Sequence, residues 1–166
     1  LAVMLSVAND FPDYQFVIAG APSQEFSFYQ KFITQENIKF ISNKTYDLLR
    51  NATAALVTSG TATLETALFK VPEVVCYKGS WASYQIAKRI ITLKFISLVN
   101  LIMDKQVVSE LIQDDCNPKR IKEELSKLLE INHRNHVLAE YDILESKLGG
   151  IGASQKTAQL IVKEIR

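Results

Sequence analysis

The chain of 166 residues is 48% hydrophobic and 22% charged, with a formal net charge of +1, the balance of an ordinary globular domain large enough to bury a core. That charge, with no Lys/Arg block, excludes the field a nucleic-acid binder needs, and no stretch approaches the roughly 20 apolar residues of a membrane span. Two cysteines, Cys76 and Cys116, make no disulfide framework and predict a reducing, cytoplasmic setting.

Residues 1–8 have helical spacing and stop at Asn9-Asp10-Phe11-Pro12, which breaks a helix and turns the chain. This start is too short and lacks the basic residues of a signal peptide; opening inside a helical pattern predicts an excised C-terminal domain of a longer protein. Residues 14–19 alternate as a strand, and Gly20-Ala21-Pro22-Ser23 turns into a helix over 24–34. A strand over 38–41 follows, then Ser42-Asn43-Lys44-Thr45 capping a short helix over 46–50. Residues 54–57 read as a buried strand, Ser59-Gly60-Thr61 as a turn, the next ten or so residues before Pro72 as a helix, and 74–77 as another buried strand, which is a βαβ unit.

Gly79-Ser80 then precedes an amphipathic helix over 81–91, and 95–98 reads as a last short strand. From 107 onward the pattern predicts helices over 107–113, 118–129 with Pro118 at a first helical position, 132–147, and 153–165 after a Gly149-Gly150-Ile151-Gly152 break. No repeat or linker divides residues 1–166, which read as a single domain. Strands alternating with helices predict an α/β fold, a doubly wound parallel sheet with a helical C-terminal segment and ligands outside the carboxyl ends of its strands.

The turn after residue 57 carries the chemistry. Ser59, Gly60 and Thr61 lie between a strand's carboxyl end and a helix's amino end, where free N–H groups and the helix dipole favour an anion. Glu65 can swing back over the mouth of that turn toward neutral hydroxyl groups, so a phosphate with a sugar attached suits both ends. Spacing alone supports an equal reading, in which Ser59 or Thr61 caps the helix and Glu65 complements its dipole.

Other chemistries lack their parts. His133 and His136 have no third ligand at metal spacing, so no metal site is expected. Ser59 has no histidine base and stands in no G-x-S-x-G elbow, and the turn lacks the lysine of a phosphate-binding P-loop. Binding by backbone donors remains, which suits a transferase better than a hydrolase with its own nucleophile.

Ser59-Gly60-Thr61-Ala62-Thr63-Leu64-Glu65, then Ala67-Leu68-Phe69-Lys70-Val71-Pro72 and Val74-Val75-Cys76-Tyr77-Lys78, resembles the signature of the lipid-A-disaccharide synthases, bacterial two-domain GT-B glycosyltransferases. The likeness continues through Trp81, Lys88-Arg89, the segment from Phe95 to Ile102, and Glu110-Leu111-Ile112-Gln113-Asp114-Asp115-Cys116. It implies the Rossmann-like C-terminal half of a GT-B fold, without that half's first strand or the N-terminal domain. On the family's pattern, Ser59, Gly60 and Thr61 receive the diphosphate of a UDP-sugar, Glu65 holds the ribose, and the turn after Ile41 recognises the base. Tyr77 would line the sugar side, and Asn100 and Gln113 match the family's Pro-Asn-Leu and Glu-Leu-x-Gln elements as UDP-sugar contacts, although each of the three can equally be a buried polar residue satisfying loop backbone. Val99 stands where many members have proline.

The activity implied is inverting transfer of 2,3-diacylglucosamine from UDP to 2,3-diacylglucosamine 1-phosphate, a step toward lipid A and lipopolysaccharide. No cofactor is implied. The catalytic residues would lie in the absent N-terminal domain, this chain's partner, leaving the chain alone inactive. The whole enzyme would be cytoplasmic, peripheral to the inner membrane face. Two alternatives stand beside it: another UDP-sugar GT-B enzyme, such as an epimerase or a peptidoglycan glycosyltransferase, or a non-catalytic binding module.

Overall fold

The computed structural model describes residues 1–79, 94–149 and 152–165. A short helix α1 (Ala2–Leu5) and a 3-10 turn (Ala8–Asp10) lead into β1 (Phe16–Gly20), α2 (Phe26–Gln30), β2 (Ile38–Ser42), α3 (Thr45–Asn51), β3 (Ala55–Thr58), α4 (Thr61–Leu68) and β4 (Glu73–Tyr77). Then come α5 (Leu98–Met103), β5 (Ser109–Ile112), a 3-10 turn (Gln113–Asp115), α6 (Pro118–Leu129), α7 (Ile131–Lys147) and α8 (Ala153–Ile165). The helix expected over 81–91, together with Gly150, Ile151 and Arg166, lies outside the described residues.

Every strand pairing is parallel, as the alternation of strands and helices requires, but the described strands form two sheets. β1 pairs with β2, Phe16 opposite Ile38 through Gly20 opposite Ser42; β4 is the centre of the other sheet, between β3 and β5. β1 and β3 therefore each keep an edge with no strand partner among the described residues. Between them lies a cleft of about 1060 Å³, lined by all of β1 and all of β3. The result is an α/β, Rossmann-like arrangement with its sheet divided.

The larger core belongs to the three-stranded sheet. Val74, Val75 and Cys76 of β4 and Leu111 of β5 are buried against Ile121, Leu125 and Leu128 of α6 and Val137, Tyr141 and Leu144 of α7. Both helices present one face at intervals of three and four residues, which puts their apolar side chains in a single stripe. Each fully buried Val, Leu or Ile contributes about 1.5–3 kcal/mol. α6 starts where Asn117 accepts the Arg120 N–H at 3.0 Å and Pro118 fills the first turn, and it ends at Glu130, whose backbone is extended. Lys70 ties the end of α4 to α7 through Asp142 and Glu145, both at 2.7 Å. A smaller cluster of Leu5, Ala8, Ile18, Tyr29 and Ile38 fills the β1–β2 side.

Two sequence expectations are corrected. Residues 95–98 are no strand: Ser97 is the N-cap of α5, accepting the Asn100 N–H. Residues 107–113 are no helix, because 109–112 form β5 against β4. A short apolar run bounded by polar residues fits a buried helix and a buried parallel strand equally. Here pairing with β4 and a buried capping serine decide each case. Three helices also differ in extent: the one expected over 24–34 is only α2, residues 1–8 split between α1 and a 3-10 turn, and α3 begins without a side-chain cap.

Candidate functional site at the carboxyl end of the sheet

β3 ends at Thr58, and the chain enters α4 through Ser59 and Gly60. Gly60 is the N-cap residue at φ 153°, ψ −165°, a region essentially reserved for glycine. Beyond its chain neighbours, no atom of the described residues lies within 4 Å of where its Cβ would be, so glycine is needed for the backbone and not for want of space. No side chain caps α4, which removes Thr61 and Ser59 as caps. The Thr63 hydroxyl and N–H both donate to the Gly60 carbonyl, at 2.8 and 3.2 Å, and leave the N–H groups of Thr61 and Ala62 without partners among the described residues. Both residues are exposed, at the positive end of the helix dipole.

Glu65, one turn into α4, is half-buried and lines the cleft with Thr58, Ala62 and Thr66. Its carboxylate has no hydrogen-bond or ion-pair partner among the described residues. The turn thus offers unpaired donors and, one helical turn away, an unpaired acceptor.

Behind the turn, the Ser59 hydroxyl donates to the Ile96 carbonyl at 2.9 Å. The Glu110 carboxylate in β5 fixes that segment in turn. One oxygen accepts the Ile96 N–H at 2.9 Å; the other accepts the Ser97 N–H at 2.9 Å, the Ser97 hydroxyl at 2.8 Å and the Asn100 Nδ2 at 2.8 Å. Asn100 is fully buried. Its Oδ1 accepts the N–H groups of Val107 and Val108, and its Nδ2 also donates to the Val108 carbonyl at 2.9 Å. β5 is held from its other side by Glu124 of α6, whose carboxylate accepts the Ser109 hydroxyl at 2.5 Å and pairs with Lys127 at 2.7 Å. Burial opposes its charge, but these partners and Arg120 hold the Glu124 carboxyl below its ordinary range.

A family model described as lipid-A-disaccharide synthetase matches residues 2–163. The chain is 34% identical to the lipid-A-disaccharide synthase of Psychromonas ingrahamii over 94% of its own length and 42% of that protein. It is 31% identical to that of Anaeromyxobacter dehalogenans over 93% of itself and 42% of the relative. With the synthase of Hahella chejuensis it shares 39% identity over 60% of the chain and 26% of the relative. The chain belongs to the lipid-A-disaccharide synthase family. It spans less than half the length of these relatives.

In this lipid-A-disaccharide synthase family member, the sequence-predicted residues all sit at or beyond the carboxyl ends of strands, except Asn100, which is in α5. Ser59, Gly60, Thr61 and Glu65 share the β3–α4 turn. Tyr77 ends β4 and is exposed. Gln113 follows β5 in a left-handed conformation, φ 52°; its Oε1 accepts the Gly79 N–H at 3.3 Å, and its Nε2 is buried without a hydrogen-bond partner among the described residues. Ile41 lies on the other sheet, opposite Ala19 of β1; of the sequence-predicted residues, Glu65 alone lines the cleft. Asn100 satisfies loop backbone, the second of its two sequence readings, and has no hydrogen-bonding capacity left. Among the described residues no cluster of three or more His, Cys, Asp or Glu could hold a metal.

Sequence reasoning missed what Glu110 does. Its motif was visible, but four hydrogen bonds from a segment ten to fourteen residues earlier leave no periodic trace. It also missed Glu73, the first residue of β4, which is fully buried with neither carboxylate oxygen hydrogen-bonded among the described residues.

Proposed function

We propose that this chain is the nucleotide-sugar-binding domain of a lipid-A-disaccharide synthase, an inverting glycosyltransferase that moves 2,3-diacylglucosamine from UDP to 2,3-diacylglucosamine 1-phosphate in lipid A biosynthesis. The observation that carries the reading is the uncapped turn of α4 with the unpaired Glu65 carboxylate beside it. The N–H groups of the turn take the diphosphate, and Glu65 accepts the ribose hydroxyls. As the glycosidic bond to UDP breaks, charge grows on the departing diphosphate, and fixed N–H dipoles stabilise it with little reorganisation. Exposed Tyr77 and the Gln113 Nε2, which has no hydrogen-bond partner among the described residues, stand at the ends of the neighbouring strands and suit the sugar side.

A further strand belongs in the cleft between β1 and β3, where two unpartnered edges bound a space of about 1060 Å³. The acceptor and its base are held by residues outside this chain, at the cytoplasmic membrane face. The chain by itself is then expected to turn over no donor, because both reactants must share one cleft; a UDP-release assay that detected turnover would oppose the division of labour.

Glu65→Ala tests the site. It removes two charge-assisted hydrogen bonds, and in a cleft this open the loss is about 1.5–3 kcal/mol, or roughly tenfold to a hundredfold in UDP affinity. Wild type is expected to prefer UDP over 2′-deoxy-UDP by calorimetry, and Glu65→Ala to lose that preference. A variant that keeps the wild-type preference would take Glu65 out of the site.

A further inference from the structure

We propose that Glu110 is a positioning residue for the diphosphate-binding turn, acting through the Ile96–Ser97 peptide and the Ser59 hydroxyl. The proposal rests on the reading of the turn given above and adds the device that holds it still. Gly60 is needed for a backbone conformation with open space around it, so no described residue packs on the turn from that side. Among the described residues, Ser59 Oγ links the turn to a distant segment by donating to the Ile96 carbonyl, at 2.9 Å. Residue 96 cannot serve as an anchor unless it is itself anchored.

Glu110 supplies that anchor. Its two oxygens accept four hydrogen bonds, two of them from consecutive backbone N–H groups, Ile96 and Ser97. The peptide unit whose N–H is held by Glu110 at Ser97 is the one whose carbonyl, that of Ile96, receives Ser59. Fixing the N–H of a planar peptide fixes the direction of its C=O. Glu110 is set in turn by β5, where it lies opposite Val75 in the ladder. The order of a rigid strand is thereby passed to a turn 51 positions earlier in sequence. Ser97 and Asn100, both fully buried, complete the cluster around the same carboxylate.

The test uses the 166-residue chain and two readouts. Glu110→Gln replaces one accepting oxygen with an NH₂ group and so sets a donor against a donor at Ile96 or Ser97. Backbone ¹⁵N order parameters for residues 59–62 are expected to fall from about 0.85 toward about 0.6, with those of β3 unchanged. Ser59→Ala, a change in a half-buried turn, is expected to release the same residues while 96 and 97 stay ordered. This second variant keeps the proposal testable if Glu110→Gln fails to fold. A turn that stays rigid in Ser59→Ala, or a loss of order spread over the whole chain in Glu110→Gln, would overturn it.

For UDP affinity, each substitution is expected to cost about tenfold and the pair together no more than about tenfold, since both cut one route. Losses that multiply to about a hundredfold would mean separate routes and would also overturn it. If the wild-type chain binds no UDP while the order parameters behave as stated, the relay stands and the nucleotide reading of the turn falls.

Discussion

Two carboxylates of the three-stranded sheet show opposite solutions to the same problem. Glu110 of β5 gathers four hydrogen bonds from the 96–100 segment. Glu73, at the amino end of β4, is fully buried and accepts none among the described residues; its surroundings include the buried Tyr141 of α7, and burial pushes its carboxyl up to about 9. Burial of a carboxyl is tolerable either when donors replace water or when the group stays protonated. The first solution yields a defined loop beside the candidate site. The second yields only a neutral acid in a core, far from the strand ends where ligands bind in such sheets. The difference separates polar burial that orders a loop from polar burial that merely lowers stability.

The strongest way to break this contrast is at Asn100. Its side chain completes the Glu110 cluster and satisfies three backbone groups of Val107 and Val108. Asn100→Ala leaves those buried groups without partners, each worth about 1–3 kcal/mol. A loss of about 3–5 kcal/mol of stability is expected, partial relaxation included. Urea denaturation reads it, and a loss below about 1 kcal/mol would mean that water replaces the amide and the cluster is not a closed network.

Glu73 is expected to respond in the opposite direction. Its folded value of about 9 lies above its ordinary 4.5. Below 4.5 both folded and unfolded states are protonated and no stability is lost. Between 4.5 and about 9 the folded state keeps a proton that the unfolded state releases, so stability falls by up to about 1.4 kcal/mol per pH unit; above that the penalty is complete. Glu73→Met fills a similar volume with no proton to lose. The variant is expected to be more stable than wild type by about 2–3 kcal/mol at about pH 6.5, with the advantage shrinking toward pH 4.5. Thermal denaturation across that range checks the sign; a constant difference at all pH values would mean that Glu73 is paired.

The same contrast explains what could be read from the sequence. The βαβ unit of β3, α4 and β4 was legible because each signal is local: a buried run, a glycine turn and a helix closed before Pro72. Helices α6, α7 and α8 were legible from their spacing, and α6 also from Pro118. β5 was not. Val107-Val108-Ser109-Glu110-Leu111-Ile112 fits two periods, and only its partner strand decides between them. The division into two sheets was hidden because pairing is a long-range property. In the candidate site, the strand-to-helix turn of Ser59, Gly60 and Thr61 was legible from local sequence, and the place of Glu65 one turn on followed from it. Asn100 was not, because a motif shows which residue stands at a position and says nothing of which way its amide faces.

Gly60 supplies the smallest expected effect and the sharpest separation of stability from binding. An added Cβ at Gly20 would meet the Phe40 ring at 2.6 Å, whereas at Gly60 it would meet nothing within 4 Å. Any cost of Gly60→Ala therefore comes from the backbone conformation alone, about 1–2 kcal/mol for a residue held at φ 153°. The turn has two ways to respond. If the Ser59 link and α4 hold it, the full strain appears in stability and the N–H groups keep their directions, so UDP affinity stays within about twofold. If the turn relaxes toward a conformation alanine accepts, stability recovers, the N–H groups swing away, and affinity falls. The anchoring of Ser59 by the 96–97 segment favours the first response, with a thermal shift of a few degrees and little change in binding. Combining Gly60→Ala with Ser59→Ala should then convert one response into the other, restoring stability toward that of Ser59→Ala alone while binding weakens. A double variant that keeps the strain would show that the turn is held by something other than its serine.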